Sequence, residues 1–365
     1  MHFDIFCRVI DNYGDIGVCW RLARHLADRS PQHRITLWVD DLERFQRIEP
    51  LVKPQEVQAL TAAITVVRWT PHSTAREPGE IVIEAFNCDP PVPFIRAMIA
   101  RKSLWINLEY LSAEAWVEGC HGLPSLQSNG LKKFFFFPGF TAGTGGLLRE
   151  DGLLEQRDRW LQQPGQRWAL LQRLGVSAGA IEALQNGARQ ALLFGYPGAP
   201  VNALAHVLAE SHTRWVLLVP DGLYADLRSP DTQRLHIIRI PFVAQNDFDR
   251  LLWSSDLNFV RGEDSVVRAL WAGKPLVWQI YEQEDSAHLA KLQAWLALSP
   301  YPQDVQRLML NWNTKNEALT QNKLGGLIDG PDWAQWQATA TQWANQLANQ
   351  PALACNLDAF CAKNQ

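Results

Sequence analysis

Short apolar runs recur along this chain at spacings that leave room for one helix between neighbours, and they come in two sets. The first set is residues 3–10 (FDIFCRVI), 34–39, 64–68, 81–86 and 104–108. The second is 191–194, 215–219, 236–240, 257–260 and 275–280. Runs of four to eight mostly apolar residues fit strands buried on both faces, and helical stretches such as 18–29 (VCWRLARHLADR) separate them. The pattern predicts two successive parallel sheets of doubly wound α/β type. A Gln- and Arg-rich stretch at 155–173 marks a helical connection between them, and amphipathic segments at about 332–349 and 351–362 close the chain. The segment KKFFFFPGF, 132–140, reads as one more short buried strand ended by its proline. Ligands of such sheets bind at the carboxyl ends of the strands, so a cleft between two facing sheets is the expected site.

A chain of 365 residues with 47% hydrophobic residues can bury a core in each half. A net charge of −4 argues against a nucleic-acid partner, which calls for a basic face. The N-terminal apolar stretch is interrupted by Asp4, Arg8 and Asp11, unlike a secretory signal, and no run approaches the ~18 apolar residues of a membrane span. Neither a membrane nor an export route is therefore expected. The six cysteines form no CxxC pair and no cluster with histidine, which leaves a metal centre without a starting point and fits free thiols in a cytoplasmic protein. The 16 tryptophans sit mostly in apolar patterns and are expected in the core rather than as sugar platforms.

Four places carry candidate chemistry. Asp11 and Asp15 lie in DNYGDIG, between the first strand and its helix. Asp15 would suit a helix N-terminus as a cap; alternatively the two carboxylates face the cleft and orient a cation or remove a proton. Arg261, Glu263, Asp264 and Ser265 follow the run 257–260 in a strand–glycine–helix turn. Such a turn holds an anion on helix N–H groups, a serine hydroxyl and a guanidinium, or is merely a capped helix. Gln245 and Phe248 follow 236–240 and could read and stack a pyrimidine, although a Phe there also suits a core; Phe194 and Tyr196 follow 191–194 and add a ring and a phenol. Asp247-Phe248-Asp249 spells the DxD of some metal-dependent transferases, but its position favours helix capping. No GxxxxGK[ST] and no GxSxG is present, and GTGGLL at 143–148 lacks the third glycine of a dinucleotide fingerprint.

Together these segments resemble a known family. DNYGDIG, VIEAF, INLEYLSAE, HGLPS, FFFFPGFTAGTGGLL, FGYP, PFVAQNDFDRLLW and VRGEDSVVRALWAGKPLVWQIYEQEDSAHLAKL are similar to the blocks of the EarP family from residue 3 to about 295. The resemblance implies a GT-B fold with two facing Rossmann-like domains and an interdomain cleft. It implies an acceptor-binding domain over 1–170, with a C-terminal helix at about 350–365 packing back on it, and a nucleotide-sugar domain over 180–345. It implies inverting transfer of rhamnose from dTDP-β-L-rhamnose to an arginine of elongation factor P, supporting translation of polyproline stretches, without a metal or other cofactor. By position, Asp15 would be the base with Asp11 beside it. Gln245, Phe248 and Phe194 would hold thymine, and Tyr196, Arg261, Asp264 and Ser265 the diphosphate. Glu263 would bind the donor at ribose or diphosphate. Two other classes share such folds: a nucleotide-sugar epimerase, which needs no protein acceptor, and a non-catalytic binding module. A transferase with a different sugar or acceptor is the nearest alternative.

Overall fold

The first apolar run folds as β1 (His2–Cys7), and five of its six residues are buried, as a central parallel strand requires. The one charge in it, Asp4, is accommodated because its carboxylate accepts from Trp38 Nε1 (2.8 Å) and Gly79 N (2.6 Å). The structure, a computed structural model, describes every residue except Asn12, Thr74, Ala75, Ser229, Pro230, Asp231 and Gln365, and leaves aside the side chain of Glu284. Asn12 of the loop singled out above therefore lies outside the described residues.

The chain forms two units, Met1–Asp151 with Ala348–Gln365, and Gly152–Leu347. In the first, β1 is followed by α1 (Gly14–Arg29), β2 (Arg34–Val39), α2 (Leu42–Ile48), β3 (Val57–Ala59), β4 (Ile64–Arg68), β5 (Ile81–Ala85), α3 (Val92–Arg101), β6 (Leu104–Leu108), α4 (Trp116–Cys120), β7 (Pro124–Leu126) and β8 (Lys132–Phe136). The sheet order is β3-β4-β2-β1-β5-β6-β8-β7, parallel except for the edge strands β3 and β7. Stacked aromatic rings fill one face, with Phe6 parallel to Trp38 at 5.0 Å and edge-on to Phe94 at 4.8 Å.

The second unit starts with three helices, α5 (Leu153–Leu161), α6 (Pro164–Arg173) and α7 (Ala178–Gln185). Then come β9 (Arg189–Leu193), α8 (Val201–Glu210), β10 (Trp215–Pro220), β11 (Leu235–Ile240), α9 (Gln245–Ser254), β12 (Leu257–Arg261), α10 (Gly262–Ala272) and β13 (Leu276–Gln279). Helices α11 (Ala287–Leu298), α12 (Gln303–Asn313), α13 (Glu317–Asp329) and α14 (Asp332–Ala348) complete it. Its sheet is wholly parallel, in the order β11-β10-β9-β12-β13. The last helix, α15 (Leu353–Asn364), packs on α1 of the first unit. That return is pinned by Arg149, which donates to the carbonyls of Ala348 (2.6 Å) and Gln350 (3.2 Å).

The boundary falls at Asp151/Gly152, earlier than the 170–180 expected from sequence. The reason is packing: α5 and α6 lie against each other and against α9, so the Gln- and Arg-rich stretch joins the second core. Among the described residues no helix is long and apolar enough to cross a membrane.

Candidate active site

In each sheet the strand order reverses beside the first strand of its unit, between β1 and β5 and between β9 and β12. In a parallel sheet, loops diverge at such a point and ligands bind outside the carboxyl ends of the strands. The loop after β1 carries Asp11, the loop after β9 carries Phe194 and Tyr196, and Arg261 is the last residue of β12.

At the first switch point α1 begins at Gly14, four residues earlier than the helix read from sequence, so Asp15 sits in its first turn. Asp15 does not cap its helix. It turns back, and among the described residues its Oδ2 accepts from the amides of Ile10 (2.7 Å) and Asp11 (2.8 Å). The carboxyl group is buried, with 3% of the residue exposed. Burial raises its pKa above the ordinary carboxylate value; the amides of Asp11 and Ile10 pull it down, and the charges of Asp11 and Asp40 push it up again. Asp40 is held at the end of β2, where it accepts from Val9 N (2.9 Å). Gly14 donates to Asp11 O (2.7 Å), and a Cβ on Gly14 would lie 2.9 Å from Asp11 Oδ2. Glycine is thus required for the Asp11 carboxylate to fold over the helix start.

The second switch point gathers an aromatic and cationic set. Phe194 and Phe248 meet edge to face at 5.2 Å. Arg261 Cζ stands 4.6 Å from the Phe194 ring and 4.9 Å from the Tyr196 ring, a guanidinium held by two π-faces. Arg261 is the residue before α10, and Gly262 takes φ +63°, which turns the chain sharply from β12 into the helix. Glu263, Asp264 and Ser265 therefore occupy the first turn of α10, where backbone N–H groups lack helical partners and favour an anion. Gln245 is the first residue of α9 and is buried.

Both aspartates of the DxD tripeptide are claimed by arginines rather than by capping. Asp247 accepts from Arg173 (2.6 Å) and Arg250 (2.9 Å), and both carboxylate oxygens of Asp249 accept from Arg268 Nη1 at 2.8 Å. The residue before α9, Ala244, offers no side-chain cap. Arg268 also donates Nε to Asp264 (2.8 Å), so one buried guanidinium ties Asp249 of α9 to the first turn of α10. Sequence reading missed Arg268 because its partners are 4 and 19 residues away, and the latter spacing has no periodic signature. Gln279 was also passed over, although a glutamine inside the apolar run PLVWQI was a readable sign of a buried polar contact. Tyr224, in a loop, gave none.

Comparison with known proteins decides the family. Residues 3–362 match the family described as Elongation-Factor P (EF-P) rhamnosyltransferase EarP. The chain belongs to the EarP family. A protein-arginine rhamnosyltransferase of Pseudomonas aeruginosa is 42% identical, with 99% of this chain and 98% of that one aligned. One of Neisseria meningitidis serogroup B is 34% identical over 99% and 97% of the two chains. Among solved structures, one concerned with EarP-mediated arginine glycosylation of translation elongation factor EF-P superposes with a TM-score of 0.66 at 31% identity, covering 100% of this chain and 99% of that one. A UGT transferase from Siraitia grosvenorii in complex with UDP has a TM-score of 0.55 at 9% identity, covering 99% of each chain, and shares the fold. This EarP protein is therefore an enzyme, a glycosyltransferase of α/β GT-B type.

Proposed function

We propose that this protein transfers L-rhamnose from dTDP-β-L-rhamnose, with inversion, to an arginine side chain of elongation factor P, and so serves translation of polyproline stretches. The observation that carries the reading is the match of nearly the whole chain to a family of elongation-factor P rhamnosyltransferases. The geometry of each unit gives the chemistry a physical basis.

An arginine guanidinium has a pKa above ~12 and is a poor nucleophile while protonated. A buried carboxylate answers this in two ways: it orients the guanidinium and takes a proton from the attacking nitrogen. Asp15 suits the base because its two backbone hydrogen bonds fix the carboxyl group through Oδ2, leaving Oδ1 to meet the acceptor. Asp11, folded over Gly14, is the orienting partner. As the nitrogen bonds to the anomeric carbon, the bond from that carbon to the phosphate oxygen breaks. Its electron pair leaves with dTDP, and the nitrogen's proton passes to Asp15. Attack opposite a β-linked leaving group gives an α-linked product.

The departing diphosphate is matched by Arg261, Tyr196 and the first turn of α10 with Ser265. Asp264 would contribute its backbone N–H, since its carboxylate is occupied by Arg268. Glu263 is read as a donor-binding residue at the ribose or diphosphate, and Gln245, Phe248 and Phe194 as the thymine pocket. No metal is invoked, because the Asp247 and Asp249 carboxylates each pair with arginines. Arg261→Lys keeps the charge but loses the planar fork, and is expected to weaken dTDP binding roughly ten- to hundredfold in calorimetry.

The decisive experiment is the intact mass of elongation factor P after incubation with this protein and dTDP-β-L-rhamnose. A gain of one deoxyhexose is expected, dependent on both protein and donor and persisting in EDTA. Donor turnover without acceptor would favour an epimerase, and donor binding without any product would favour a binding module.

A further inference from the structure

The peptide between Gly195 and Tyr196 is gripped at both ends. Its N–H, on Tyr196, donates to Gln279 Oε1 at 2.8 Å, and its carbonyl, on Gly195, accepts from Arg261 Nη1 at 3.4 Å. The next carbonyl along, on Tyr196, accepts from Tyr224 Oη at 3.0 Å. A peptide unit is planar, so fixing the direction of its N–H fixes the direction of its C=O. Gln279 thereby aims the carbonyl that Arg261 meets. The same two groups crowd Gly195: a Cβ there would stand 2.5 Å from Tyr224 Oη and 2.7 Å from Gln279 Oε1. Only glycine lets them close on this segment.

Each gripping group is itself braced. Gln279 ends β13 and is buried, and Asn313 on α12 bonds the carbonyl of Trp278 (2.8 Å) and the amide of Ile280 (3.0 Å) on either side of it. Tyr224 takes a left-handed backbone, φ +51°, which a tyrosine adopts only when its surroundings enforce it. Arg239 on β11 enforces it by donating to the carbonyls of Leu223, Tyr224 and Leu227. Burial raises the Tyr224 phenol above its ordinary pKa, so it remains a donor. A polar side chain at the end of an apolar strand and a strained loop residue thus converge on one peptide.

We propose that Gln279 and Tyr224 are positioning residues that hold the Gly195–Tyr196 segment, and through its carbonyl and its flanking rings hold the Arg261 guanidinium in the geometry that receives the donor's diphosphate. The inference rests on the reading of Arg261 as a diphosphate ligand. Neither residue acts on the reacting atoms; both act through Arg261.

The test is dTDP binding by calorimetry and donor and acceptor kinetics with the full-length protein. Gln279→Met keeps length but removes the acceptor of the part-buried Tyr196 N–H. It is expected to weaken dTDP about tenfold and to raise the donor KM far more than the acceptor KM or the fall in kcat. Tyr224→Phe, which removes one hydroxyl and keeps the ring, is expected to give about threefold in the same direction with little change in Tm. In the background of Arg261→Lys the effect of Gln279→Met shrinks to less than half, because the two act in series. An unchanged dTDP affinity in both variants, or effects fully additive with Arg261→Lys, overturns the inference and leaves the donor site standing. An unaltered protein that binds no dTDP overturns both this and the reading it rests on.

Discussion

Asp15→Asn is expected to lower rhamnosyl transfer about a thousandfold while leaving the dTDP affinity within about threefold. The substitution is nearly isosteric, and an asparagine oxygen can still accept from the amides of Ile10 and Asp11. The loop is therefore kept, and what disappears is the negative charge and the proton acceptor. Stability should move the other way. Burial raises the Asp15 pKa in the folded protein, so the ionised carboxylate is less favourable there than in the unfolded chain. A raised carboxylate costs stability above its folded pKa. That cost fades as pH falls through the folded pKa and is gone below the unfolded value. The variant should thus melt no lower than the unaltered protein at pH 7.5, with the difference closing in acid. Activity of the unaltered enzyme should fall on the acid side as Asp15 takes up its proton. Full turnover by Asp15→Asn with donor still bound would remove Asp15 as the base. A large drop in its Tm would instead mark a structural carboxylate.

This pairing of lost activity with retained stability was only half legible in the sequence. DNYGDIG announced a turn and two acids, but a carboxylate near a helix start reads equally as a cap. What separates the two is the direction in which Asp15 turns, back to the amides of Ile10 and Asp11, contacts that no apolar periodicity encodes. The parallel strands were readable because burial on both faces forces unbroken apolar runs. The edge strands β3 and β7 were not, being three residues long and partly exposed. The domain boundary was misplaced for a similar reason. A Gln- and Arg-rich composition marks a helix with a solvated side, but which core the other side joins is decided by α9, some eighty residues later. At the proposed donor site the aromatic and basic residues were visible in their motifs. Their mutual support through the Gly195–Tyr196 peptide was not, since it is written in hydrogen bonds to main chain.

The largest effect on stability is expected at Arg268. Its side chain is 2% exposed and bonds two carboxylates that are themselves almost enclosed, Asp249 at 12% and Asp264 at 11%. Removing one partner of a buried ion pair is strongly destabilising, and here a single substitution withdraws the partner of two carboxylates. Arg268→Met should cost about 3–5 kcal/mol in urea unfolding of this chain. Replacing the whole set is a different matter. In Arg268→Met with Asp249→Asn and Asp264→Asn all three charges of the set are removed together, so at least half of the lost stability should return. Donor binding should not return with it. Asp249 belongs to α9, which carries Gln245 and Phe248, and Asp264 belongs to α10, whose first turn faces the diphosphate in the proposed complex. The ion pair sets the two helix starts relative to each other, and with them the nucleotide and diphosphate ends of the site. A triple variant that regains its unfolding free energy yet binds dTDP at least tenfold more weakly would identify the guanidinium as a spacer between the two ends. A triple variant that regains both would reduce it to ballast in the core, and a single variant as stable as the parent would mean the two carboxylates find compensation elsewhere.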